Sequence, residues 1–192
     1  MSSDLRVCFL GDSFVAGVGD PQCLGWAGRL AALSHRRGTP LTAYYLGVRR
    51  DTSADVLSRW EAECTPRLPD GCDARIVVSF GVNDTVQGLA AAESLRNLRT
   101  LLTAAAPLPR LVVGPPPVDD EPANRALASL DEAFATACRE LRVPYVPTLP
   151  ALVRDPAWMQ EVRDGDGAHP AAAGYEALAR LVAPAWIKWV EG

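Results

Sequence analysis

Two kinds of segment alternate along the chain. Short runs that are apolar throughout lie at Leu5–Leu10, Leu41–Leu46, Arg75–Phe80, Arg110–Val113 and Val143–Val146, rich in Val, Ile, Leu and aromatic residues and bounded by Gly or Pro. Continuous rather than alternating apolar character predicts strands of a parallel sheet covered on both faces. Between them lie longer segments at Trp26–Arg36, Ala54–Cys64, Leu89–Ala106, Ala123–Leu141 and Ala171–Val190. Their apolar residues recur at helical spacing, as in Leu95, Leu98, Leu101 and Leu102, or Leu127, Leu130, Phe134 and Cys138. Thr52 with Asp55 three positions on forms a capping box for the second helix. Pro184 predicts that the last helix is divided in two.

The order β-α-β-α-β-α-β-α-β-α predicts an α/β protein with right-handed crossovers and helices on both sides of the sheet. No internal repeat or low-complexity tract interrupts it, and 192 residues suit one domain, taken here as 1–192. Pro115–Pro117 and the prolines between 147 and 156 read as ordered loops. The loops 114–121 and 148–163 carry Val118, Leu149, Leu152, Val153, Trp158 and Met159, either as walls of a substrate pocket or as residues packing those loops onto the core. The C-terminal Trp186–Val190 segment reads as a cover for the sheet, with a dimer patch as the alternative.

Composition narrows the class. Hydrophobic residues make up 48% of the chain, which excludes extensive disorder. A net charge of -4 argues against nucleic acid as the main partner, since phosphate binding needs a basic face. The pairs Arg36-Arg37 and Arg49-Arg50 read as solvated loop charges. No run approaches the roughly 20 apolar residues of a membrane span, and the N-terminus lacks the basic and apolar regions of a signal peptide. Five cysteines, odd in number and without C-x-x-C, fit a reducing compartment, so a cytoplasmic location is expected. Whether Cys64 and Cys72 meet is left open.

In open α/β sheets ligands bind beyond the carboxyl ends of the strands. Gly11-Asp12-Ser13 follows the first predicted strand, Gly47 the second, and Gly81-Val82-Asn83-Asp84 the third. Asp164-Gly165-Asp166-Gly167-Ala168-His169-Pro170 follows the fifth after a longer loop. There are two histidines. His35, beside Ser34 and Arg36, reads as a surface residue. His169 stands before Pro170, which favours an extended residue there and a helix start close behind. Asp166 can fix its tautomer, leaving Nε2 as a base. Ser13 is a helix-capping serine on one reading and a nucleophile on the other, and a serine hydroxyl needs such a base. The N–H groups of Ser13 and Gly47 and the amide of Asn83 are candidate donors to an oxyanion. Equally, Asn83 can be a turn residue, Gly47 a strand-ending glycine, and Asp164 and Asp166 ordinary turn acids.

Taken together, Gly11-Asp12-Ser13, Gly47, Gly81-Val82-Asn83-Asp84 and Asp166-Gly167-Ala168-His169-Pro170 resemble the SGNH (GDSL-like) hydrolase family, in its order and over the whole chain. The resemblance implies a three-layer α/β/α, flavodoxin-like fold with a five-stranded parallel sheet in the order 2-1-3-4-5. It implies hydrolysis of esters or thioesters without a cofactor or metal. Ser13 would be the nucleophile, His169 the base and Asp166 the acid, with Ser13, Gly47 and Asn83 supplying the oxyanion donors. Two departures stand out: Gly47 is followed by Val48-Arg49-Arg50, placing two arginines near the site, and Phe14 follows the serine where a smaller aliphatic is common. The expected partner is a small-molecule ester, with a short acyl chain favoured. A carbohydrate acetylester, a thioester or a lysophospholipid is the alternative.

Other classes fit less well. Neither G-x-G-x-x-G nor G-x-x-x-x-G-K-[ST] is present, which leaves a flavodoxin-like binding module as the non-enzyme reading. G-x-S-x-G is absent, excluding an α/β-hydrolase elbow. One isolated histidine besides His169 does not make a zinc site with the usual ligands.

Overall fold

The structure, a computed structural model, describes residues 4–192. Strands β1 (Leu5–Gly11), β2 (Thr42–Gly47), β3 (Asp73–Ser79), β4 (Arg110–Val113) and β5 (Tyr145–Val146) form one parallel sheet in the order β2-β1-β3-β4-β5. The helices are α1 (Gly25–Arg36), α2 (Ser53–Cys64), α3 (Val82–Val86), α4 (Ala91–Ala104), α5 (Glu121–Glu140), α6 (Leu149–Leu152), α7 (Pro156–Asp164) and α8 (Ala172–Glu191). The expected three layers, strand order and five long helices are all present.

Period-two alternation divides each buried strand between two cores. Val7, Phe9, Val77 and Leu111 face α1, α7 and α8, where Trp26, Leu30, Trp158, Tyr175, Val182 and Trp186 are buried. Cys8, Leu10, Ile76, Val78 and Val112 face α2, α4 and α5, where Val56, Trp60, Leu98, Leu101, Leu102 and Phe134 are buried. Each large apolar side chain so buried contributes about 1.5–3 kcal/mol. The capping box forms as expected: Thr52 Oγ1 accepts from the Asp55 N–H, and the Thr52 N–H donates to Asp55 at 2.9 Å. The C-terminal segment does cover the sheet. The Trp186 ring lies 5.4 Å from that of Phe9, and its indole N–H donates to Ser34 Oγ.

Two expectations need correction. Pro184 does not divide the last helix: α8 runs unbroken from Ala172 to Glu191. Pro184 and Arg180 are both exposed, so the helical carbonyl left without its N–H donor can be hydrated. The segment 148–163 is not loop: α6 and α7 occupy most of it, α7 opened by Asp155, which caps the Ala157 and Trp158 N–H groups ahead of Pro156 at the first position. Leu149, Leu152, Trp158 and Met159 are therefore core residues, and Val153 is exposed. On the question left open for the cysteines, Cys64 is buried beside Cys8, and all five cysteines are free thiols.

Among the described residues no helix is long and apolar enough to cross a membrane.

Candidate active site

The chain leaves β1 to build α1 and β2 on one side, then returns to place β3 on the other side of β1. This reversal leaves a crevice above the carboxyl ends of β1 and β3, where ligands bind in such sheets. Ser13 enters it from β1 and Asn83 from α3, directly after β3.

The Ser13 turn is shaped by close backbone approaches. Gly11 lies so near the Ser79 carbonyl that a Cβ would overlap it, and a Cβ on Gly47 would stand 2.6 Å from the Asp12 carbonyl oxygen and 2.8 Å from Val15 C. Glycine at the ends of β1 and β2, which are in register, thus lets the turn fold down onto the sheet. The Asp12 carboxylate accepts from the Phe14 N–H at 3.0 Å, an Asx-type turn that brackets Ser13.

His169 reaches Ser13 from 156 positions away in the chain, with Nε2 at 2.7 Å from Ser13 Oγ. Its Nδ1 is 2.7 Å from Asp166 Oδ2, while Asp166 Oδ1 accepts from the backbone N–H groups of Ala168 (3.0 Å) and His169 (2.8 Å). Burial pushes the Asp166 carboxyl up, but those hydrogen bonds outweigh it and hold it down at about 2. An ionised Asp166 only accepts, so Nδ1 carries the proton and Nε2 is free to accept from the serine hydroxyl. The ring is fixed from the side as well: Phe14 lies 4.9 Å from it between centroids and stacks in turn on Trp158. An imidazole held between a hydroxyl and a carboxylate in this way can take the hydroxyl proton.

Asn83 also faces the crevice. Its amide donates to the Asp51 carbonyl at 3.0 Å and has a longer contact, 3.4 Å, with Asp12 Oδ2. Gly47 lies beneath the turn and is not part of the cleft wall. Asp12 is almost fully buried. Burial is the main cause that pushes its carboxyl up to about 7; the Phe14 N–H opposes this, and the nearby Asp84 and Asp51 add to it.

A cleft of about 230 Å³ opens beside Ser13 and His169. Its apolar wall is Phe14, Val82, Val86, Val118, Ala123 and Ala168, with Asp120 and Asp166 at the rim. Of the candidate pocket residues in the sequence, only Val118 lies here. Val82, Val86, Ala123 and Ala168 carry no signal in the sequence that separates them from other small apolar residues. Arg49 and Arg50 are exposed and outside the wall, and His35 is exposed at the end of α1. A larger groove of about 300 Å³, between α1 and α8, holds no nucleophile. No group of three or more His, Cys, Asp or Glu side chains among the described residues could hold a metal ion.

No curated protein matches the chain in sequence. The fold is shared with solved structures. A lipase/acylhydrolase from Enterococcus faecalis superposes with a TM-score of 0.79 at 23% identity, covering 96% of this chain and 95% of that one. TesA gives 0.79 at 23%, over 96% and 99%. The acetylxylan esterase Axe2 from Geobacillus stearothermophilus gives 0.73 at 18%, over 100% and 97%. The GDSL-like lipase/acylhydrolase family model matches residues 9–177, most of the length and both ends of the crevice. The chain belongs to that family and is a hydrolase of ester bonds.

Proposed function

We propose that this protein hydrolyses carboxylic esters with short acyl groups through an acyl-enzyme on Ser13. The observation that carries this reading is the unbroken relay from Ser13 Oγ through His169 to Asp166, with both links at 2.7 Å. His169 Nε2 takes the Ser13 proton as Oγ attacks the carbonyl carbon, and Asp166 stabilises the resulting imidazolium. The negative charge on the carbonyl oxygen is met by the Ser13 N–H and the Asn83 amide; Gly47, beneath the turn and outside the cleft, serves by letting that turn fold down. One such donor is worth about 10²–10³ in rate. His169 returns the proton to the leaving alcohol, then takes one from water as the water oxygen attacks the acyl carbon, and passes it to Ser13 Oγ as the acyl–Oγ bond breaks and the carboxylic acid leaves. A protonated His169 cannot start this sequence, so the rate falls in acid.

The acyl preference rests on cleft size. About 230 Å³ is below the usual range for pockets that enclose drug-sized ligands, and the wall is apolar. Acetyl esters of sugars are the second reading, since an acetyl group fits the same wall and the open rim leaves a bulky alcohol in solvent.

Hydrolysis of p-nitrophenyl esters from acetate to palmitate, with acetylated sugars alongside, tests both. The parent protein is expected to favour the short esters, and Ser13→Ala to lose at least about 10³-fold in kcat. Equal rates in the parent and Ser13→Ala would refute the nucleophile assignment. An optimum at palmitate would refute the short-acyl reading.

A further inference from the structure

The relay joins two segments that are covalently independent: the Ser13 turn after β1 and the His169 loop before α8. Something must hold them at hydrogen-bond distance, and a second set of contacts behind the site does so. Asp20, with its side chain fully buried, accepts from the N–H groups of Gln22 (3.0 Å) and Gly25 (2.8 Å) and pairs with Arg29. Arg29 is 9% exposed. Its guanidinium donates to the Gly25 carbonyl (2.7 Å), to Gln22 Oε1 (3.2 Å) and, across the gap, to the Ala172 carbonyl in the first turn of α8 (3.2 Å). It also lies 3.3 Å from Glu176. Nearby, the Tyr175 hydroxyl of α8 donates to the Val18 carbonyl at 2.7 Å. Between these tethers Gly19, with φ at +90°, lies so close that a Cβ would stand 2.6 Å from the Pro170 carbonyl and 3.2 Å from His169 Cβ.

We propose that Arg29 is a positioning residue for the reaction, its planar fork setting the distance from the Ser13 turn to His169 by tying both to the start of α8. The inference rests on the Ser13–His169 assignment made above. The geometry suits arginine specifically. Nη1 serves Asp20 and the Gly25 carbonyl while Nη2 serves Gln22 and the Ala172 carbonyl, a span that the donors of an ammonium, all on one atom, do not cover. Burial pushes the Asp20 carboxyl up, but hydrogen bonds from Arg29 and from the Gln22 and Gly25 N–H groups hold it below the usual carboxylate range; a lysine at position 29 still places one positive charge opposite it.

Arg29→Lys therefore separates the two roles: it keeps the charge opposite Asp20 and loses the reach to Ala172. Tyr175→Phe is the second probe; it removes the other tether and keeps the ring packed against Trp158. The parent and both variants are assayed for kcat, KM and Tm with p-nitrophenyl acetate. Misplacement of reacting groups by about 1 Å costs up to about 10²-fold. The expected result is a kcat lowered roughly ten- to hundredfold in Arg29→Lys, with KM within about threefold of the parent, and a smaller fall in kcat for Tyr175→Phe. Parent-like kcat in folded Arg29→Lys would overturn the proposal. If Arg29→Lys does not fold, parent-like kcat in Tyr175→Phe does so. Activity remaining in Ser13→Ala would instead mark failure of the nucleophile assignment.

Discussion

At the scale of single residues, two carboxylates in one site are driven in opposite directions. Asp166 is held at about 2 by the N–H groups and the imidazole it accepts from. Asp12, buried, is pushed up to about 7. The consequences for stability have opposite signs. Asp166 contributes stability that is present above its unfolded value of 3.8 and lost as the pH falls toward 2. Asp12 retains a proton in the fold that the unfolded chain has released, so stability falls as pH rises from 3.8 to about 7. Asp12→Asn is neutral throughout and lacks that loss. The difference in Tm, variant minus parent, should grow across this window and level off above it. A difference independent of pH would show that Asp12 is ionised in the fold at all these values. Gly47 makes a separate prediction. A methyl group there must displace the Asp12–Ala16 backbone, so Gly47→Ala should lower kcat by about 10²-fold or more. Steady-state kinetics on the folded variant checks this, and unchanged kcat would show that the turn yields without moving Ser13.

At the scale of elements, what was legible in the sequence was what repeats or caps. β1, β3 and β4 read as apolar runs because both their faces are covered, whereas β2 reads as one although it is a largely exposed edge strand, and Thr52 with Asp55 marks the start of α2. Short elements were not legible. α3 has five residues, too few to show a helical period. α7 did leave a signature, Asp155-Pro156 followed by Trp158, Met159 and Val162, but the surrounding prolines read as loop. Pro184 misled because a helix tolerates proline where the orphaned carbonyl meets water. The C-terminus of α5 offers a stability test. Val143 N–H donates to the Cys138 carbonyl and Arg142 takes the left-handed conformation at φ 55°, a helix stop that favours glycine. Relief of the Cβ clash makes Arg142→Gly stabilising by about 0.5–1 kcal/mol. Urea denaturation measures this, and a destabilised variant would mean that the Arg142 side chain contributes more than its strain costs.

At the scale of the whole molecule, the sheet order explains why four separated motifs act as one site. β1 and β3 are neighbours although β2 intervenes in the chain, so the residues that follow them share a crevice. The helices then bring in the remainder: α8, packed over Phe9 through Trp186, delivers His169 from the far end of the chain to Ser13. Ser13, Asp166 and His169 could be found in the sequence because each combines a chemical group with loop glycines after a strand. Asp20, Arg29 and Tyr175 could not, because their partners are backbone carbonyls and N–H groups whose positions only the fold determines. The cleft wall was hidden for a similar reason, being drawn from α3, the segment after β4, α5 and the His169 loop.

The central claim is that Ser13 Oγ is an activated nucleophile. An alkyl fluorophosphonate tests it directly, because attack by the serine oxygen forms an O–P bond and expels fluoride, leaving an adduct that mass spectrometry can place on a peptide. One adduct per chain is expected, on the peptide containing Ser13, absent from Ser13→Ala and formed much more slowly in His169→Ala. No adduct, or one on a different serine, would contradict it.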